Sequence, residues 1–326
     1  MNRFIVRNST LAARPYRTAS PAILLALTLA VLGSARADTA VSAPPAAAQT
    51  EKPAPLPLHQ IEGSGGIFST LSAYIVNPPR NGEPVGRPSV GFAYVNLGHG
   101  RDLDAFTLTE TPWKQLELGY AYDRFDLGDL PQAIQSATGI KLRDDQVKLQ
   151  VFSARLQLVA ESDSAPAITA GIHFKNNDGI DRINTDLGGL LRASGVAKDS
   201  GTDFTLYASK LFKSTPAPLL VNAGLRATKG AHVGLLGFTD DYKVVFESNA
   251  VLFLTGQFAL AAEYRQKPNA YRPIGTLVQP EADWWTLDAA YVFNAHFTVA
   301  AGYGHFGTVL NHPANGVWGI TTKFEF

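Results

Sequence analysis

Residues 219–228 read Leu-Leu-Val-Asn-Ala-Gly-Leu-Arg-Ala-Thr, placing Leu219, Val221, Ala223, Leu225 and Ala227 on one face of an extended chain and Asn222, Gly224, Arg226 and Thr228 on the other. A period of two sustained over ten residues predicts a strand, since successive side chains of a strand point to opposite faces. The same division recurs outward along the chain. In 116–123, Leu116, Leu118, Tyr120 and Tyr122 oppose Glu117, Gly119, Ala121 and Asp123. In 168–175, Ile168, Ala170, Ile172 and Phe174 oppose Thr169, Gly171, His173 and Lys175. Runs 258–265 and 285–293 follow suit, with Glu263, Arg265 and Asp288 on the polar side. One face is apolar or aromatic, the other small, polar or charged.

Alternation alone fits either a soluble sandwich that buries its apolar face or a membrane barrel that turns it to lipid. Three features favour the barrel. Short connections (110–114, 161–166, 213–218, 255–257, 294–296) alternate with long polar ones (126–143, 176–202, 229–241, 267–282, 308–315), as tight periplasmic turns and large external loops require. The polar face mixes Gly and Ala with isolated charges of both signs, which suits a wet lumen. The last segment, 317–326, is itself an alternating strand, and its Phe324 and Phe326 resemble the tail through which outer-membrane barrels are recognised by the assembly machinery.

Five short-turn hairpins (102–110 with 114–125, 145–160 with 166–175, 203–212 with 218–228, 242–254 with 258–266, 283–293 with 297–306), a first strand at 88–97 and a last at 316–326 total twelve. The fold expected is all-β, a transmembrane antiparallel β-barrel of about 12 strands. Segment 61–80 is left over, either as a strand pair that would make fourteen or as a piece folded into the lumen, the reading preferred here. One strand changes phase: Val147, Leu149 and Val151 stand opposite to Phe152, Ala154, Leu156 and Leu158, which predicts a bulge near 151 or an upper end projecting beyond the membrane.

Ahead of the barrel, the sequence carries export features. The 326-residue chain has a formal net charge of zero, yet Arg3, Arg7, Arg14, Arg17 and Arg36 all fall within residues 1–37, which hold no acid. Without them 23 basic side chains face 28 acidic ones, a net of −5, which argues against a nucleic-acid partner. A basic stretch, the apolar run 22–33 and Ala35-Arg36-Ala37 form a signal peptide with cleavage expected before Asp38. Residues 38–60, rich in Pro and Ala, read as a flexible tail. The chain has no cysteine, which excludes disulfides and thiolate chemistry.

Several blocks, in order, resemble an uncharacterised group of proteobacterial proteins known as a domain of unknown function and expected to form outer-membrane barrels. They are 61–66 (IEGSGG), 175–178 (KNND), 199–204 (DSGTDF), 225–229 (LRATK), 234–238 (GLLGF) and 262–268 (AEYRQKP). The resemblance spans 60–326. It implies fold and location, and no activity, substrate or cofactor.

Chemical motifs are weak. Residues 302–307 (GYGHFG) match G-x-G-x-x-G, but a dinucleotide site needs a following helix where a strand is expected. Asp178, Asp181, Asn184 and Asp186 offer oxygen ligands without calcium-loop spacing, and read as a solvated external loop. Short helices are expected at 130–138, capped by Asp129 with Pro131 in the first turn, and within 186–194. The seven histidines form no metal-binding pair, and neither metal nor cofactor is implied. A Ser-His-acid site of the outer-membrane lipase kind would draw on His173 and Asp288, with no serine placed beside them.

The polar faces instead supply lumen candidates: Glu117, Asp123, Arg155, His173, Arg226, Glu263, Arg265 and Asp288, with Lys175, Glu247, Lys323 and Glu325 beside them. The expectation is a monomeric outer-membrane protein acting as a narrow channel or transporter for a small solute. A closed structural or surface-interaction barrel using its long loops is the alternative, and a lipid enzyme the third. Membrane lipid, lipopolysaccharide and the assembly machinery are the expected partners.

Overall fold

The computed structural model describes residues 57–80, 82–196, 198–273, 278, 280–309 and 312–326. The expected signal peptide and residues 38–56 of the expected tail lie outside them.

Twelve antiparallel strands form one closed barrel: β3 (Ser89–Asn96), β4 (Asp102–Trp113), β5 (Leu116–Asp126), β6 (Gln146–Val159), β7 (Ala167–Asp178), β8 (Ser200–Phe212), β9 (Leu219–Gly230), β10 (Phe238–Phe253), β11 (Phe258–Arg265), β12 (Trp284–Val292), β13 (Phe297–Val309) and β14 (His312–Glu325). Each pairs with its sequence neighbours. The ring closes where β14 meets β3, from Trp318 opposite Asn96 to Glu325 opposite Ser89. The fourteen-strand alternative is wrong. The remaining two strands, β1 (Leu58–His59) and β2 (Gly65–Gly66), pair only with each other in a separate two-stranded sheet, and short polar strands of this kind cannot extend a wall that must face lipid.

The outer surface is an apolar belt. Phe92, Phe106, Phe152, Phe174, Phe204, Leu206, Leu225, Leu287, Trp318 and Ile320 are all exposed, Leu287 to 59%. A continuous belt of this kind far exceeds the patches a soluble surface tolerates and matches the lipid-facing side of a membrane barrel. Asn222, Arg226 and Thr228 point inward and are buried. Turning Arg226 to lipid would cost about 2–4 kcal/mol at mid-membrane.

Several local expectations are corrected. Strand β6 carries no bulge near 151, since its pairing with β5 is unbroken from Leu116–Leu156 to Asp126–Gln146. Its odd-numbered residues point inward from Val147 to Arg155, and its register shift lies between Gln157 and Val159. What changes is the medium. At the upper end Gln146, Lys148 and Gln150 face outward above the lipid belt while Val147, Leu149 and Val151 are buried inside. The long loop expected at 308–315 is mostly strand, because β13 continues to Val309 and β14 begins at His312.

The connection 229–241 is not a solvated loop. Its Ala231–Gly234 turn, with left-handed His232 and Val233 (φ 47° and 58°), is buried with Leu235, Leu236 and Phe238. Together with α1 (Leu130–Thr138), α2 (Ile180–Asp186) and α3 (Leu190–Ala193), it caps the external mouth. Helix α1 falls at the expected residues, though Asp129 makes no side-chain cap bond and instead faces Arg101 at 3.7 Å. The helical turn expected within 186–194 is α3, and α2, which was not expected, precedes it from Ile180.

Candidate functional site

The interior is occupied in two layers of different chemistry. The external half is an apolar core in which Leu103, Phe125, Val147, Leu149, Trp284 and Phe306 of the wall meet Leu130, Ile180, Leu235 and Phe238 of the cap. Trp284 and Phe306 stack at 4.5 Å and 7°. Burying each such side chain contributes about 1.5–3 kcal/mol.

The periplasmic half is filled by residues 57–79, hereafter the plug. Leu58, His59 and Gln60, which composition assigns to the flexible tail, belong to this plug and are buried. His59 holds Thr107 at 2.8 Å and Ser89 at 2.6 Å, polar partners that composition cannot reveal. The wall is cut to receive it. A β-carbon on Gly119 would stand 2.1 Å from the carbonyl oxygen of Gly63, and one on Gly319 would stand 2.4 Å from the Phe68 ring. The inward glycines that suggest a wet lumen thus make room for another stretch of the chain.

Glu62 links the plug to the wall. Its carboxylate contacts Lys175, and stands 2.8 Å from Arg226 and 3.6 Å from Arg265. Asp203 pairs with Lys175 at 2.7 Å and Arg226 at 3.0 Å, and Glu247 pairs with Arg226 at 2.7 Å and Arg265 at 3.1 Å. Three carboxylates balance three cations, all buried. Tyr207 donates to Glu247.

Two more wall carboxylates receive backbone N–H groups of the plug. Glu117, paired with Arg155 at 2.9 Å, accepts from Gly65 at 3.1 Å and Val76 at 2.8 Å. Glu263 accepts from Phe68 at 3.2 Å, Ser69 at 3.0 Å and Thr70 at 2.7 Å, so three successive amides close around one carboxylate. Arg265 returns a bond to the Ser69 carbonyl at 3.1 Å. Lys323 bonds Glu325 at 2.7 Å and contacts the Pro57 carbonyl where the plug enters.

All eight lumen candidates are therefore inward and buried. Glu117, Arg155, Arg226, Glu263 and Arg265 touch the plug. Asp123, His173 and Asp288 make no bond to it: both carboxylate oxygens of Asp123 and both ring nitrogens of His173 lack a partner, as does Asp288 Oδ1. His173 on β7 and Asp288 on β12 lie five strands apart around the ring, and no hydroxyl bonds His173, so the pair forms no Ser-His-acid arrangement. Glu62, the hub of the network, lies outside any strand and so escapes a reading based on alternation. The signal available was the unassigned polar segment itself.

The cap hangs from the same wall. Lys175 also donates to the Val233 carbonyl at 3.0 Å, and Asn177 donates to the carbonyls of Gly234 at 2.8 Å and Leu235 at 2.9 Å. At the mouth Lys267 lies 3.0 Å from His232 Nδ1 and 3.1 Å from Glu281, while His232 Nε2 faces Glu281 at 3.1 Å. Burial pushes Lys267 down to about 8. Burial also lowers His232 and so keeps it neutral. Although burial opposes its ionisation, Glu281 is held well below the usual carboxylate range by His232 and Lys267.

The acidic external loop carries ion pairs. Asp178 and Asp144 contact Arg182 at 2.6 Å each, Asp186 contacts Arg143 at 2.7 Å, and Asp181 stands 3.6 Å from Arg192. Asn184 accepts from the Arg192 backbone. The G-x-G-x-x-G stretch lies inside β13, and the next described element is strand β14. Phe324 and Phe326 face outward, their rings 5.2 Å apart.

Residues 58–321 match the family described as "Protein of unknown function (DUF3034)". No curated protein matches the sequence. Among solved structures, the chain is similar to the KdgM porin (8% identity, 73% of this chain and 99% of that one, TM-score 0.43). It is also similar to the COG4313 outer membrane channel from Pseudomonas putida F1 (11%, 74% and 96%, 0.42) and to the Salmonella typhi outer membrane phospholipase (11%, 76% and 94%, 0.36).

Proposed function

We propose a function for the chain, which belongs to the DUF3034 family of proteins of unknown function: it is an outer-membrane channel for small polar solutes, held shut at rest by its own residues 57–79. The observation that carries this reading is the chemistry of the plug's seat. A barrel meant only to stay closed is filled most cheaply by apolar side chains, as its external half is. Buried ion pairs often add little net stability over a hydrophobic filling, because desolvation offsets their attraction. The interior beneath that apolar core nonetheless buries charges of both signs, with polar atoms of Asp123, level with Leu149, and of His173 and Asp203 left without partners. These groups are suited to water, and water reaches them when the plug leaves.

Plug and cap share one cation. Lys175 binds Glu62 of the plug and the Val233 carbonyl of the cap, so withdrawal of Glu62 removes a restraint on both barriers. The wall left behind carries Glu117, Asp123, Asp203, Glu247, Glu263, Asp288 and Glu325 against Arg155, Lys175, Arg226, Arg265 and Lys323. Seven acids against five bases give such a lumen a mild preference for cations.

The test is conductance in planar bilayers. The full mature chain is expected to be silent for most of the recording, and a chain lacking 57–79 to conduct steadily. Heat-modifiable migration on gels shows whether the deleted chain still folds. A folded barrel without the plug that never conducts would rule out the channel.

A further inference from the structure

We propose that the seat of Glu62 is a binding site for the carboxylate of a small solute: a short aliphatic monocarboxylate takes the place of the Glu62 side chain and holds the plug out. The proposal rests on the reading above that the plug can leave its seat, and it adds the class of ligand that keeps it away.

Glu62 stands at the tip of a tight turn, closed by the Gly63 N–H donating to the Gln60 carbonyl at 2.9 Å. Beyond the α-carbon its side chain is a propionate group held against the wall. Arg226 meets the carboxylate with both terminal nitrogens, Nη1 3.1 Å from Oε1 and Nη2 2.8 Å from Oε2. This two-point fork is the geometry by which a guanidinium selects a carboxylate. Lys175 also contacts Oε1, and Arg265 Nη1 lies 3.6 Å from Oε2. Each oxygen therefore faces two cationic groups.

The wall itself positions these cations. Asp203 holds Lys175 at 2.7 Å and Arg226 at 3.0 Å. Glu247 holds Arg226 Nε at 2.7 Å and Arg265 Nε at 3.1 Å, and it accepts the Tyr207 hydroxyl in turn. All six residues come from β7 to β11, five consecutive strands, so the arrangement does not need residues 57–79. Once Glu62 withdraws, Lys175, Arg226 and Arg265 face Asp203 and Glu247 alone, and the seat is short of one negative charge. The acids that outnumber bases over the lumen as a whole lie outside this cluster.

Water can solvate that excess charge, whereas a carboxylate cancels it and fills the fork. An amide of the same size would turn an NH₂ group toward the cations, and an ammonium would add a like charge, so neither fits. A ligand that binds only the emptied seat shifts the plug toward release by mass action.

The experiment titrates the full mature chain and its Glu62→Gln variant, both in lipid nanodiscs, with propionate, propionamide and n-propylammonium by calorimetry at fixed ionic strength. Glu62→Gln strands the excess charge and weakens the competing plug. It should bind propionate about tenfold or more tightly than the unsubstituted chain, the factor a charge-assisted hydrogen bond supplies, and the other two compounds not at all. Adding Arg226→Lys, which keeps the charge and removes the fork, should weaken propionate binding about tenfold, and heat-modifiable migration shows that each variant folds. In planar bilayers, propionate at a hundred times its dissociation constant from the emptied seat should raise the open population of the unsubstituted chain about a hundredfold. Propionamide should leave it unchanged. Equal binding of propionate and propionamide, binding undiminished by Arg226→Lys, or no propionate binding by a folded Glu62→Gln chain would each overturn the site, while steady conductance of that chain would leave the channel standing. Selective binding in a chain that never conducts would uphold the site and reject the channel.

Discussion

Replacing Glu62 with glutamine tests the gate at its hub. In the resting structure Glu62, Asp203 and Glu247 balance Lys175, Arg226 and Arg265 within one buried cluster. Glutamine keeps the size and one acceptor but leaves the cluster with a net charge of +1. Removing one partner of a buried ion pair costs about 3–5 kcal/mol. Because the charge left behind is stranded only while the plug is seated, that cost falls on docking. At about 1.4 kcal/mol per tenfold, the undocked population should rise by roughly two to three and a half orders of magnitude. The chain has no cysteine, so Ser72→Cys, a nearly isosteric change at a buried plug position, gives a single reporter whose maleimide labelling rate scales with that population. Adding Glu62→Gln should raise the rate by the same factor and produce channel openings in bilayers. Adding Lys175→Met as well removes the excess charge and should restore part of the protection. A labelling rate changed by less than about tenfold in the Glu62→Gln protein would refute the reasoning, as would rapid labelling in its parent.

Other outcomes follow from the same geometry. Gly319→Leu places side-chain atoms where the Phe68 ring sits. Added to the Ser72→Cys protein, it should speed maleimide labelling and raise conductance while the barrel keeps its heat-modifiable migration. Arg155→Met leaves Glu117 buried beside the plug amides without its partner and should lower stability by about 3–5 kcal/mol, measured by denaturant titration in micelles. The cap should loosen in acid. Glu281 ionises below its ordinary value of 4.5 in the folded chain, so its contribution is present above about pH 4.5 and fades as pH falls further. Lys267, with a folded value near 8 against 10.5 unfolded, opposes folding below pH 8, and that penalty shrinks between pH 8 and 10.5. Fluorescence of Trp284, whose ring lies 4.3 Å from the Lys267 nitrogen, should report acid loosening, and Glu281→Gln should remove the acid transition.

The wall was legible because one physical rule governs it. Every residue of β9 from Leu219 to Thr228 faces lipid or lumen by its parity, and a chain crossing lipid cannot break that rule cheaply. The rule fails where the lipid ends. Val147, Leu149 and Val151 fall out of phase because the strand has left the membrane there, so that polar side chains turn outward and apolar ones pack beneath the cap. The cap turn at 229–241 and the plug carry no periodicity at all. Their positions are fixed by long-range contacts such as Asn177 with Gly234 and Glu263 with Phe68, which sequence spacing does not encode. The inward glycines pointed to a spacious lumen, and the same residues are what let a second layer of backbone come within contact distance.

The two halves of the interior differ in how their closure responds to being opened. In the external half, exposing the core to water costs free energy in proportion to apolar area, with nothing regained. In the periplasmic half, the charges and amides that lose each other gain water, and the desolvation penalty they bore while buried is returned. The seat of the plug is therefore held by interactions that are large one by one and nearly balanced in sum, and a single charge can tip them. Glu62 contributes that charge from the plug side, from a segment that enters the lumen at Pro57 beside Lys323. A pull on the chain ahead of Pro57 is thus borne first by the Lys323 contact and the His59 bonds to Ser89 and Thr107, and then by Glu62. On the gating proposed above, this order would make the plug the moving part and the apolar cap the barrier that follows it through Lys175.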